Sequence, residues 1–186
     1  MSERLIGVEQ GTESTQKPTQ YLTFEMAGAH YGVEILRVQE IRGWDHPTLI
    51  PNAPDYVRGV INLRGIIVPI IDLRKKFGLP SLEISPVTVV IILRVQTDQA
   101  DRIMGVMVDA VSDVHDVRPE EIRTPPDLGQ QVDVRYIRGL ISVQQQMIVL
   151  LDTNILLSSD RVLNLAESAL GLLQTQEPGG SQISSS

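Results

Sequence analysis

The chain repeats itself, and the repeat constrains the fold more than any other feature. Arg58-Gly59-Val60-Ile61 recurs 80 positions later as Arg138-Gly139-Leu140-Ile141. Ile67-Val68-Pro69-Ile70-Ile71-Asp72 recurs at the same offset as Met147-Ile148-Val149-Leu150-Leu151-Asp152. A second block keeps an offset of 73: Gly32, Val33, Ile35, Val38, Glu40 and Ile41 match Gly105, Val106, Val108, Val111, Asp113 and Val114. The offsets differ by 80 − 73 = 7, so the second copy carries seven extra residues. They fall in the polar, Pro-containing stretch His115 to Asp133, where an insertion belongs in a loop. Such a chain folds one unit twice, and the expected boundaries are about 20–80 and 86–158.

The repeated unit reads as β structure. Leu22, Phe24 and Met26 alternate with Tyr21, Thr23 and Glu25, the period of a half-buried strand. Tyr31 to Ile35 is the next strand. Leu36 to Trp44 continues with Val38 and Ile41 as apolar anchors and Glu40 between them, facing out. Pro47, Pro51 and Pro54 interrupt the chain, and Asn52 to Arg58 is read as one helical turn. Gly59 to Phe77 is then a hairpin whose tip is Asn62-Leu63-Arg64-Gly65, with Gly65 free to take the positive φ of a tight turn. The second copy keeps the pattern but replaces Arg64-Gly65 with Gln144-Gln145. Pro69 cannot donate to a ladder, which predicts an edge or a bulge there. Asp72 follows an apolar run and precedes Leu73 to Phe77, so it reads as the N-cap of a short helix ended by Gly78 and Pro80. Val87 to Gln96 and Arg102 to Val108 are strands around a polar turn.

Short strands with regular turn signals predict an all-β fold. The expectation is two five-stranded β-barrel subdomains with a groove between them, followed by a C-terminal α-helix. That helix is expected over 160–174, where Val162, Ala166, Ala169 and Leu173 share a face. Residues 1–19 and 177–186 are polar or Gly/Ser-rich and read as disordered tails.

Composition excludes several functions. Of 186 residues 42% are hydrophobic, enough for a core, but only 4% are aromatic, against a base-stacking surface. The net charge of -7 argues against a polyanion partner, so no nucleic acid is expected. The absence of cysteine removes disulfides and thiolate chemistry, and suits the cytoplasm. No apolar run approaches the roughly 20 residues of a membrane helix, so no direct membrane insertion is expected. Residues 1–20 carry no apolar signal core. His30, His46 and His115 lack ligand spacing, and Met104, Met107 and Met147 read as core or interface filler, so no metal and no cofactor is expected.

One enzyme reading competes. Leu150-Leu151-Asp152-Thr153 matches the start of an aspartic-protease motif, and Asp72 with Asp152 could form a symmetric dyad sharing a proton, the basis of a hydrolase. The Gly that should follow Thr153 is Asn154, and Asp72 is followed by Leu73-Arg74. N-capping fits both aspartates better.

Val38-Gln39-Glu40-Ile41, Gly59-Val60-Ile61-Asn62-Leu63-Arg64-Gly65, Val68-Pro69-Ile70-Ile71-Asp72-Leu73-Arg74 and Val111-Ser112-Asp113-Val114 closely resemble the CheW family of bacterial chemotaxis coupling proteins. The resemblance covers about Gln20 to Ser158. It implies two SH3-like five-stranded barrels and an adaptor without enzymatic activity. It further implies a cytoplasmic protein, recruited to membrane-associated arrays, that joins the cytoplasmic hairpin tips of methyl-accepting chemoreceptors to the regulatory domain of the CheA-type histidine kinase. Carried over block by block, it nominates Val38, Glu40, Ile41, Gly59, Asn62, Leu63 and Arg64 as receptor- or kinase-binding residues. Kinase contact is placed loosely around Val143 to Met147.

Overall fold

The computed structural model describes residues 16–81, 83–97, 100–125, 133–158 and 164. The first copy forms β1 (Thr19–Met26), β2 (Ala29–Glu34), β3 (Val38–Gly43), β4 (Val57–Leu63), β5 (Ile66–Asp72) and α1 (Leu73–Lys76). The second forms β6 (Val89–Gln96), β7 (Asp101–Val108), β8 (Ala110–Val117), β9 (Ile137–Val143), β10 (Gln146–Leu151) and α2 (Thr153–Leu157). The expected helix over 160–174 lies outside the described residues.

The strands make two five-stranded sheets, ordered β8-β1-β2-β10-β9 and β3-β6-β7-β5-β4. Neither sheet is one sequence copy. Each takes the opening hairpin of one copy and inserts it between the third and fifth strands of the other. The exchange is reciprocal, so the sheets are pseudo-equivalent. It rests on two parallel pairs, β10 with β2 and β5 with β7, in which Leu150 faces Gly32 and Ile70 faces Gly105.

Those glycines explain the offset of 73. A Cβ on Gly105 would lie 2.5 Å from Ile70 Cδ1 and 2.8 Å from Val90 Cγ1, and one on Gly32 would lie 3.0 Å from Leu150 Cδ2. The inserted hairpin needs a residue without a side chain where the other copy's aliphatic group crosses it. Hairpin pairing adds a third offset: Leu22 faces Val33 and Ile91 faces Val106, so β1 and β6 differ by 91 − 22 = 69.

In the second sheet β3 and β4 stand at opposite ends of the strand order. Arg64 Nη2 nevertheless reaches Glu40 Oε2 at 2.9 Å, and Thr48, between β3 and β4, bridges Val60. The sheet therefore curls into a barrel. An equivalent bridge, Arg123 with Leu140, closes the first.

Both faces of the central strands are buried. In β6, Val90 and Ile92 join a cluster with Leu63, Val68, Ile70 and Met107 inside the second barrel. Ile91 and Leu93 point the other way, into a cluster shared by both sheets that includes Phe24, Tyr31, Ile71, Phe77 and Leu151. Tyr21, Ile141, Ile148 and Leu150 fill the first barrel. Three readings are corrected. β1 is buried on both faces at Tyr21, Leu22, Thr23 and Phe24, because it lies between β8 and β2 rather than on a half-exposed surface. Residues 52–58 form a turn, closed by Val57 N–H donating to Pro54 C=O, and then strand. β5 is interior, and Pro69 is accommodated because its parallel ladder with β7 begins only at Ile70.

Candidate functional site

The site grows from the β4–β5 hairpin. Arg64 and Gly65 both have positive φ, 51° and 89°, as a two-residue type I′ turn requires. Asn62 supports the turn, its Oδ1 accepting the Gly65 N–H at 2.7 Å. Gly59 anchors the hairpin base. Its φ is 132° and a Cβ there would lie 2.2 Å from the Thr48 carbonyl oxygen, so only glycine lets the bridging strand approach. Leu63 turns inward and is buried with Val68 and Ile70.

β3 supplies the other half. Val38, Glu40 and Arg42 are half-buried, while Gln39, Ile41 and Gly43 are exposed. Val38 packs on the cluster between the sheets. Glu40 is held by Arg64 and by Arg42, whose Nε lies 3.7 Å from Glu40 Oε1. Arg64 is itself 81% exposed at its side chain, so it presents donors to solvent while one nitrogen stays paired. Ile66, two residues beyond Arg64, is exposed, and Ile41 is exposed on the face of β3 opposite Glu40.

The seven nominated residues thus share one barrel wall but divide in role. Gly59 anchors the hairpin base, Asn62 and Leu63 build the tip, and Val38 seats the strand. Arg64 and Ile41 are exposed, and Glu40, half-buried, holds the Arg64 guanidinium. Arg42 joins Glu40 through its ion pair, and exposed Ile66 follows the turn; neither stands among the seven residues. Arg42 follows Glu40 by two on a strand and so shares its face. Ile66 is a large apolar residue directly after a polar turn. Beside the tip lies a cleft of about 200 Å³ lined by Arg42, Asp45, His46, Thr48, Ile61 and Asn62 among others. The space between the barrels, where a groove was expected, is filled by the shared apolar cluster.

The aspartates behave as caps. Asp72 Oδ1 accepts from Lys75 N–H at 3.1 Å and Asp152 Oδ1 from Ile155 N–H at 3.0 Å. They line separate clefts, Asp72 beside Arg58, Arg74 and Asp109, and Asp152 beside Glu34, Arg37 and Arg138, so they do not form a dyad. Among the described residues no group of three or more His, Cys, Asp and Glu side chains is placed to hold a metal ion. No described helix is long and apolar enough to cross a membrane.

A hairpin of this sequence, closing a barrel onto a Glu-bearing edge strand, matches a known family pattern. The CheW-like domain model covers residues 20–161. The chain belongs to the CheW-like family. It is 43% identical over 143 residues to the chemotaxis protein CheW of Klebsiella aerogenes, covering 77% of this chain and 84% of that protein. It is 34% identical over 139 residues to the chemotaxis protein CheW of Rhizobium meliloti, covering 75% of this chain and 87% of the relative. Among solved structures, the scaffolding protein TtCheW from Thermoanaerobacter tengcongensis aligns with a TM-score of 0.69 at 28% identity. That alignment covers 82% of this chain and 96% of TtCheW. The chain is accordingly a chemotaxis scaffold protein of the CheW type and not an enzyme.

Proposed function

We propose that this chain is the cytoplasmic adaptor that joins the cytoplasmic hairpin of a methyl-accepting chemoreceptor to the regulatory domain of a CheA-type histidine kinase, within membrane-associated arrays. The observation that carries the reading is the paired but exposed guanidinium of Arg64 at the hairpin tip, with exposed Ile66 two residues beyond it. A charge with spare donors close to an exposed apolar side chain suits the face of an amphipathic helix, where apolar anchors supply affinity and the charge sets register. Glu40 positions Arg64, and Val38, Gly59, Asn62 and Leu63 hold the surface rigid from behind. The pseudo-equivalent tip, Val143 to Met147, lies on the other barrel. It is uncharged and carries Met147 at 58% exposure, chemistry suited to a second partner with an apolar surface, and we assign it to the kinase. Coupling then needs only a fixed geometry between two partners.

The test is co-sedimentation of the purified chain with receptor-bearing membranes, with and without the kinase, for wild type and Arg64→Ala. Wild type should bind both partners, and the variant should lose receptor binding while keeping its fold. Wild type that binds neither would overturn the adaptor reading. Equal receptor binding by the two proteins would remove Arg64 from the contact.

A further inference from the structure

The two copies place equivalent tyrosines at the seam between the barrels. Tyr56 precedes β4 and its carbonyl accepts the Asp72 N–H at 2.8 Å; Tyr136 precedes β9 and accepts the Asp152 N–H at 2.8 Å. Lys76 reaches both rings, and Arg135 Cζ also lies 6.0 Å from the Tyr136 centroid. Lys76, at the end of α1, places Nζ 4.8 Å from the Tyr56 centroid and 5.5 Å from that of Tyr136. Both distances lie within cation–π range. The next residue, Phe77, stacks on Tyr136 at 6.2 Å and meets Tyr31 at 6.1 Å. The end of α1, which belongs to the second barrel, thus inserts a charge and a ring into the first.

Duplication does not require this cation. The position equivalent to Lys76 at the offset of 80 is Leu156, which is buried in the shared core. The fold accepts an aliphatic residue there. Burial also pushes the Lys76 ammonium below its usual pKa, so the charge stands in a setting that disfavours it. At this seam the desolvated charge is offset by the faces of two rings, one from each barrel.

We propose that Lys76 is a positioning residue whose ammonium, clamped between Tyr56 of one barrel and Tyr136 of the other, sets the angle between the barrels. The angle fixes how the Arg64 tip and the Gln144 tip are placed relative to one another. Its importance for coupling rests on the adaptor reading; the clamp does not.

The chain has no native cysteine, so spin labels can be attached at cysteines replacing exposed Arg94 on β6 and exposed Ser142 on β9. Electron–electron distance measurements on the full chain should give one narrow distribution for wild type. Lys76→Arg and Tyr136→Phe, which keep a cation and a ring, should reproduce it. Lys76→Met and Tyr136→Leu should broaden or displace it, with Lys76→Met melting no lower than wild type. A Lys76→Met distribution that matches wild type overturns the clamp. Kinase control is read in parallel. There Lys76→Met should bind receptor and kinase separately as wild type does, yet join them less effectively. Failure of wild type to join the two partners would sink the adaptor reading and leave the distance result to decide the clamp.

Discussion

In the proposed adaptor, Arg64 serves recognition rather than stability. Its ion pair with Glu40 is exposed on the arginine side, and such pairs contribute about 0–1 kcal/mol. Arg64→Ala is therefore expected to melt within a few degrees of wild type while weakening receptor binding. Calorimetry beside co-sedimentation checks this, and a large drop in melting temperature would show that the arginine is structural. The glycines behave oppositely. Gly105→Ala forces a methyl against buried Ile70 and Val90, which should cost about 1–3 kcal/mol by denaturant titration. Gly59→Ala adds an unfavourable φ and a clash with backbone that cannot give way, so it should cost more than Gly105→Ala. Among nominated residues, the motif marks Asn62, Leu63 and Arg64 alike. Only the tertiary structure separates Leu63, buried in the barrel, from exposed Asn62 and Arg64, because a hairpin motif records turn chemistry and packing in the same few letters.

The two hairpins are equivalent elements with unequal strain. The first turn has Gly65 and the Asn62 side chain. The second places Gln144 and Gln145 at φ 48° and 68°, both left-handed and both bearing a Cβ. Ser142 stands where the first hairpin has Asn62, and Gln145 where it has Gly65. Gln145→Gly should stabilise the chain by about 1 kcal/mol, raising the melting temperature by a few degrees in a thermal scan. No change would mean that the turn relaxes at little cost. The β5–β7 and β10–β2 ladders show the same divergence. They share the pairs Ile70–Gly105 and Leu150–Gly32, but the first runs to Asp72 and the second back to Ile148. Pro69 accounts for the shift, since Val149 at the equivalent position pairs with Tyr31.

The whole molecule depends on contacts between the exchanged parts. Asp109, after β7, accepts two hydrogen bonds from the Arg74 guanidinium and one from Ala27 N–H in the β1–β2 turn of the other sheet. Those bonds to Asp109 hold the Arg74 pKa above its usual value. Arg74 also donates to Pro80 C=O at 2.9 Å. The pseudo-equivalent half does this more simply: Asn154 Oδ1 accepts the Gln96 N–H directly. Asp109→Ala, which strands a largely buried guanidinium, should destabilise by about 3 kcal/mol in denaturant titration. A loss below about 1 kcal/mol would reduce the pair to a surface contact. Lys76 gives the pH signature. Its folded pKa lies below the ordinary 10.5, so near and below 10.5 the unfolded chain binds more protons, and stability rises as pH increases through the folded value. Buried Tyr21 and Tyr31, with raised pKa, act oppositely above about pH 10. The difference between wild type and Lys76→Met isolates the lysine. It should shift in favour of wild type as pH rises towards 10.5, and an unchanged difference would place the ammonium in water.

The amino-acid order was sufficient for the duplication, most of the strands, both capping aspartates, the charged tip and the family, because each rests on local periodicity, turn chemistry or a contiguous motif. It did not reveal which copy each strand pairs with. Both copies carry the same apolar pattern, so an opening hairpin finds equally suitable neighbours in its own copy and in the other. The choice is made by long-range packing, where Gly32 and Gly105 admit the aliphatic side chains of the opposite copy. For the same reason the burial of β1 on both faces, the closure of β3 onto the β4–β5 tip and the meeting of Tyr56, Lys76 and Tyr136 were not legible. Each depends on residues far apart in the chain that only the exchanged arrangement brings together.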